Sequence, residues 1–176
     1  MSSPVSIRRA TVDDAGAIAR LARELGYAAQ AKIMRSRIQA VLASAADLLM
    51  VAVDSSGTGV GWLQAHGAQI VESGFRVEIA GLIVSPKFRR RGVGRSLVAK
   101  AEAWARTASA EAVVARTNAK RAESHSFYPA LGYTPTKTQV VYRKPLAEAW
   151  CQPRSGAERC AAAAPPGARQ PLGRLP

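Results

Sequence analysis

The strongest constraint in this sequence is a junction. A long apolar run, Arg76–Val84, passes through a basic loop, Ser85–Arg91, into Gly92-Val93-Gly94 and an amphipathic stretch that continues to Ser109. The first part reads as a buried strand, interrupted by one carboxylate, Glu78. The last part reads as a helix over Gly92–Ser109, with Leu97, Val98, Ala101 and Trp104 on one face. A helix that starts in such a loop leaves its first N–H groups without partners. Its dipole adds partial positive charge there, and Arg89, Arg90 and Arg91 add full charges. Gly92 and Gly94 let the backbone approach a ligand closely. These features together predict a cradle for a pyrophosphate. Two other phosphate loops are excluded. Gly92-Val93-Gly94-Arg95-Ser96-Leu97 lacks the third glycine of a dinucleotide fingerprint and lies mid-chain, and no GxxxxGK[ST] occurs.

The flanking sequence supplies a mixed α/β domain. Val5–Arg9 reads as a short strand. Thr11 and Asp14 have capping-box-like spacing, and Ile18, Leu21, Ala22 and Leu25 recur at helical intervals before Gly26. A second helix is expected over Ala29–Ala45, with Ile33, Ile38, Val41 and Leu42 inward. Leu48–Val53 and Val60–His66 read as a hairpin about Ser55-Ser56-Gly57-Thr58, followed by a loop over Gly67–Gly74. After the Gly92 helix come a strand, Ala112–Thr117, a short helix, Arg121–Leu131, closed by Gly132, and a last strand, Gln139–Arg143. Pro129 should shorten or kink that short helix. The elements alternate around a single sheet.

The chain of 176 residues suits one domain. Its net charge of +13 suggests a polyanionic partner. However, ten basic and two acidic residues lie between Ser85 and Arg121, a net +8 in one fifth of the chain. Such a local cluster suits a phosphate-bearing small ligand at least as well as nucleic acid, and no nucleic-acid partner is expected. No apolar run is long enough to span a membrane and no secretory leader is evident, so a cytoplasmic location is expected. The two cysteines, Cys151 and Cys160, have no metal-ligand spacing, and no metal is expected. From Cys151 to Pro176, 18 residues are Ala, Pro, Gly or Arg. The folded domain is therefore expected over 1–146, with 147–176 a low-complexity, poorly ordered tail.

The segment Leu82-Ile83-Val84-Ser85-Pro86-Lys87-Phe88-Arg89-Arg90-Arg91-Gly92-Val93-Gly94-Arg95-Ser96-Leu97-Val98 closely resembles the acetyl-CoA-binding motif of the GNAT N-acetyltransferases. Asn118, Ala122, His125 and Phe127-Tyr128-Pro129-Ala130-Leu131-Gly132-Tyr133 resemble that family's later motif, at the family's spacing. The resemblance is close over Arg76–Arg143 and looser over Val5–His66. It implies the GNAT fold, a single mixed sheet that is mostly antiparallel in its N-terminal half. About four helices flank the sheet, and a parallel pair of strands splays apart at the CoA site. It also implies roles for individual residues. Leu82, Ile83 and Val84 would pair with the pantetheine arm. The amides of Arg90, Arg91, Gly92, Val93, Gly94 and Arg95, in the loop that opens at Arg89, would hold the pyrophosphate, with Ser96 joining. Asn118 would touch the CoA arm. Tyr128 would lie near the thioester sulfur and protonate the leaving thiolate, and Glu78 matches a carboxylate that serves some members as base.

The implied chemistry is direct attack of a primary amine on acetyl-CoA in a ternary complex. A protonated amine is not a nucleophile, and a carboxylate placed directly, or through water, can take its proton. Backbone N–H groups near Val84 can hold the oxyanion. Glu78 has a plain alternative, a salt bridge to an arginine such as Arg76, and Tyr128 has one as a buried core tyrosine. His125 reads as a surface or capping histidine. Tyr27, Trp62, His66 and Glu72 fall in segments that line the acceptor cleft in this family. The acceptor is a small molecule, with an aminoglycoside or polyamine-like cation as one option. A peptide or amino acid is another option, and a non-catalytic acyl-CoA-binding module a third. The resemblance is also compatible with a homodimer.

Overall fold

A computed structural model describes residues 4–24, 26, 27, 30–118 and 122–144. The described residues fall into two units, one closing at Thr138 and the other opening at Gln139. In the first, a five-stranded sheet runs in the order β1 (Ser6–Arg9), β2 (Asp47–Val53), β3 (Gly59–Ile70), β4 (Gly74–Val84), β5 (Ala112–Ala115). The first four strands are antiparallel neighbours, and β4 and β5 are parallel. The α-helices among the described residues are α1 (Ala15–Glu24), α2 (Ala31–Leu42), α3 (Val93–Thr107) and α4 (Ala122–Phe127).

Local sequence explains the entry into α1. The Thr11 N–H donates to Asp14 Oδ2 at 2.7 Å, while Arg8 clamps the same carboxylate through two bonds of 2.8 Å. That guanidinium and the Thr11 amide hold the Asp14 carboxyl below its ordinary range in spite of its burial. Gly26 closes the helix in the left-handed region at φ 83°. The alternation of β3 then sorts the core. Leu63 and Ala65 face α3 with Leu48, Met50, Val77, Ile79, Leu97, Val98 and Ala101. Trp62 belongs to the opposite face, where Ile18, Ile38, Leu49 and Val51 pack under α1 and α2.

Three expectations change. The loop expected over Gly67–Gly74 is mostly strand. β3 runs to Ile70 and β4 starts at Gly74, with Ile70 paired to Gly74. The pairing continues until only residues 71–73 connect the strands, and Gly67 and Gly74 read as turn residues in the sequence. The second helix is shorter, Ala31–Leu42, because propensity does not mark where a helix stops packing. Gln139–Arg143 forms no strand, and Val140, Val141 and Tyr142 are exposed. Five residues have no strand stability of their own. As expected, Pro129 ends α4: the helix stops at Phe127, and Pro129–Leu131 is a single 3₁₀ turn closed by Gly132 at φ 89°. The region 147–176, and the residues Leu25 and Arg121, lie outside the described residues.

Candidate active site

The parallel pairing of β4 with β5 stops at Ile79 opposite Ala115. On its other side β4 stays paired to β3 as far as Val84. That ladder carries a bulge, because Ile79 faces Ala65 and Gly81 faces Gln64, leaving Ala80 extra. A bulge bends a strand and sharpens its twist. It falls where β4 leaves β5, so the two strands splay there.

The splay exposes a backbone edge. Ser85 N–H donates to Val60 O on β3 at 2.8 Å, so the carbonyl of the same peptide, Val84 O, points the other way. By the two-residue period, Leu82 and Val84 present N–H and C=O to the open side, and Ile83 turns its groups to β3. The Arg89 Nε–H already donates to Val84 O at 3.1 Å, and its Nη1 reaches Glu123 of α4 at 3.1 Å. The Arg89 side chain thus crosses the mouth of the splay.

The loop then turns sharply. Arg90 has φ 60° and Gly92 has φ 78°, both left-handed. Nothing lies within 4 Å of the point where a Cβ on Gly92 would stand. The first turn of α3 closes with Ser96 N–H to Gly92 O at 2.9 Å, so the amides of Val93, Gly94 and Arg95 have no intrahelical acceptor. Gly94 serves packing, since a Cβ there would come within 3.2 Å of the Phe127 ring. Arg95 Nη2 reaches Ala130 O at 3.4 Å, which ties α3 to the turn after α4. A hollow of about 240 Å³ opens beside the helix start, between Arg91, Val93, Ser96, Ile7 of β1 and Val5 just before it. Open amides, a bare glycine and three exposed arginines fit a pyrophosphate.

Tyr128 follows α4 and packs against the α3-side core, as do Leu82, Val84 and Phe127. Its ring stands edge-on to Phe127 and Tyr133, at centroid distances of 5.1 and 5.4 Å. Burial pushes its hydroxyl up to about 12, so it keeps its proton throughout the neutral range. Tyr133 donates to Glu102 Oε1 at 3.0 Å and is likewise raised, by burial and by that carboxylate.

Glu78 lies on the opposite face. It is buried at 7% exposure, opposite His66 on β3 and Val114 on β5. Its Oε1 accepts from Arg76 Nε at 2.9 Å, from Arg76 Nη2, and from Arg116 Nη2 at 3.1 Å. Its Oε2 lies 3.9 Å from His66 Nε2. Burial opposes ionisation, but the two guanidinium groups outweigh it and hold the carboxyl below its ordinary range. The plain alternative for Glu78, a salt bridge to Arg76, is therefore present in the structure, and sequence reasoning missed Arg116. Only its place two residues beyond Val114 in β5 could have signalled it.

The acceptor-side candidates do not converge. His66 shares a face with Glu78. Trp62 covers Gly81, where a Cβ would meet its ring at 2.8 Å, and its Nε1–H is buried without a partner. Glu72 sits at the exposed tip of the β3–β4 turn, and Tyr27 is exposed beyond α1. Asn118 is exposed just past β5, and His125 is exposed on α4. No metal-ligating cluster and no helix long and apolar enough to cross a membrane occur among the described residues.

Comparison with known proteins completes the picture. The family model "Acetyltransferase (GNAT) family" matches residues 16–133. The chain belongs to the GNAT acetyltransferase family. The aminoglycoside N(6')-acetyltransferase type 1 of Stenotrophomonas maltophilia is 29% identical over 153 residues, which is 83% of this chain and 97% of that protein. The aminoalkylphosphonate N-acetyltransferase of Salmonella typhimurium is 45% identical over 56 residues, 32% of this chain and 36% of that one. The aminoglycoside N-acetyltransferase AAC(6')-Iy, solved in complex with CoA, superposes with a TM-score of 0.73 at 22% identity, over 82% of this chain and 97% of its own. This GNAT protein is an acetyl-CoA-dependent N-acetyltransferase, with acetyl-CoA as co-substrate, and its mixed sheet with a parallel β4–β5 pair is the GNAT fold.

Proposed function

We propose that this enzyme acetylates a primary amine of a small molecule held against the β3–β4 face, in a ternary complex with acetyl-CoA. The observation that supports this best is the splay itself. It opens the sheet between a partly buried, protonated tyrosine on one face and an ionised carboxylate with a histidine on the other. Acetyl-CoA supplies an activated acyl carbon and a thiolate leaving group. The amides of Val93, Gly94 and Arg95, with Arg90, Arg91, Gly92 and Ser96 around them, hold its pyrophosphate. Leu82 and Val84 pair with its arm once Arg89 yields the Val84 carbonyl, and Asn118 touches it from the segment just past β5. The Val84 N–H donates to the acyl oxygen as charge develops there. Tyr128 donates its hydroxyl hydrogen to the departing sulfur, and Glu78 serves the side of the reaction that receives the amine's proton.

An aminoglycoside is the first acceptor to test, given the relative that matches nearly end to end. A second reading is a zwitterionic amine bearing a phosphonate or carboxylate. It is favoured by Arg116, which is 59% exposed and shares one carboxylate with Arg76, leaving the cluster with excess positive charge. Free-thiol release from acetyl-CoA, measured across aminoglycosides, polyamines, amino acids, aminoalkylphosphonates and peptides, decides the class. Release only with peptides overturns the small-molecule reading, and tight CoA binding without release to any amine marks a binding module. We place the enzyme in the cytoplasm, where acetyl-CoA is made and used. Light scattering tests whether it is a homodimer.

A further inference from the structure

We propose that His66 receives the proton of the acceptor amine and that Glu78 positions it, as a two-residue relay across β3 and β4. The proposal deepens the reading above and rests on the amine arriving at this face. His66 and Glu78 are register partners, so their side chains stand side by side. The carboxylate divides its work between its two oxygens. Oε1 takes three N–H groups from Arg76 and Arg116. Oε2 is left facing His66 Nε2 at 3.9 Å. A carboxylate bound by two guanidinium groups is a poor proton acceptor but a firm anchor. An imidazole whose Nε2–H faces that anchor keeps its Nδ1 lone pair for an incoming proton. Access also separates the two groups: the His66 side chain is 39% exposed and that of Glu78 10%.

The place in the fold is suitable. Glu78 pairs with Val114 one step before the final parallel pair, Ile79 with Ala115, so the relay stands at the root of the splay. The charged groups around it are few. Asp47 stands across from His66 on β2, Glu78 stands across on β4, and Arg76 and Arg116 reach in behind Glu78. Among the described residues no ion pair joins His66 to α1 or α2. In the reaction, the amine nitrogen bonds to the acyl carbon and the carbon–sulfur bond breaks. The nitrogen's proton passes to His66 Nδ1 directly or through one water. The sulfur takes a proton from Tyr128, His66 later releases its proton to solvent, and Tyr128 regains one from there.

Two readouts test this. In ¹⁵N NMR of histidine-labelled protein, with His66→Gln assigning the signal, neutral His66 should carry its hydrogen on Nε2. Glu78→Ala should relax that preference toward the mixture of tautomers of a free imidazole. A neutral His66 with hydrogen on Nδ1 would overturn the relay, whatever the acceptor. With the best amine from the screen, His66→Gln should lower kcat/KM about 10²-fold at pH 7. The deficit should shrink as pH rises, with CoA affinity and Tm unchanged. An unaltered pH profile in His66→Gln would remove His66 from the chemistry. If the wild type releases no thiol with any amine, the acceptor-site reading fails instead, and the tautomer still decides the pairing.

Discussion

Arg89 Nε donates to the carbonyl of Val84 at 3.1 Å, so the loop between β4 and α3 is tied back to the strand it leaves. The tied carbonyl is the one that points into the splay. The pyrophosphate loop and the pantetheine edge are thus joined by one exposed side chain, and their contributions to CoA binding can be separated.

Gly92→Asp should lower CoA affinity at least tenfold, about 1.4 kcal/mol. The space beside Gly92 is open, so a carboxylate enters the cradle without a clash, although an Asp at φ 78° also strains the loop. Arg89→Ala should cost less than about threefold, because an exposed charge is worth little and its loss frees the Val84 carbonyl. Calorimetric titration of both variants with CoA checks this. A reversed order would mean that side-chain charge, not the helix start, holds the phosphates.

Much of this was legible beforehand for a physical reason. The Arg89–Gly94 loop sits between a strand and a helix that are each strongly patterned, so both their types and their junction could be read. The bulge at Ala80 could not, because a single extra residue leaves no mark in an apolar run. The partners of Glu78 were half legible. Arg76 is two residues away on the same strand face, whereas Arg116 arrives only through the β4–β5 register. The length of the β3–β4 hairpin was hidden because Gly67 and Gly74 look like turn residues. Gly67 in fact lies within the strand, where a Cβ would meet Phe75 at 2.9 Å.

Glu78→Gln should destabilise the fold at pH 7 by about 1–3 kcal/mol, since it leaves two guanidinium groups without their counter-charge. The folded-state carboxyl is lowered, so its contribution is full above the ordinary glutamate range and fades as pH falls through the folded value. Denaturant titrations at pH 7 and pH 3 should therefore show the gap between wild type and variant closing in acid. A gap unchanged at pH 3 would show that shape rather than charge matters at this position.

Tyr128→Phe keeps the ring against Phe127 and Tyr133 and removes one hydroxyl. It should reduce kcat roughly 10²-fold with CoA affinity intact. The raised hydroxyl also predicts that the wild type shows no alkaline loss from this residue below about pH 11, one unit short of its value near 12. Rate profiles of the two proteins test both statements. Equal rates would return Tyr128 to a packing role.

A chain ending at Glu148 should fold and bind CoA as the full chain does. The removed sequence lacks the apolar pattern needed to offset its ordering entropy. Weaker binding or a lower melting temperature in the truncated protein would assign the tail a packed role.

The central claim is acetyl transfer to a small amine at the splay between β4 and β5. The most direct measurement incubates the purified protein with acetyl-CoA and a panel of small amines, then reads thiol release and acceptor mass together. Thiol release matched by gain of one acetyl group on a primary amine is the expected result, lowered at least tenfold by Gly92→Asp at subsaturating acetyl-CoA. Thiol release without an acetylated amine, or CoA binding with neither, would contradict it.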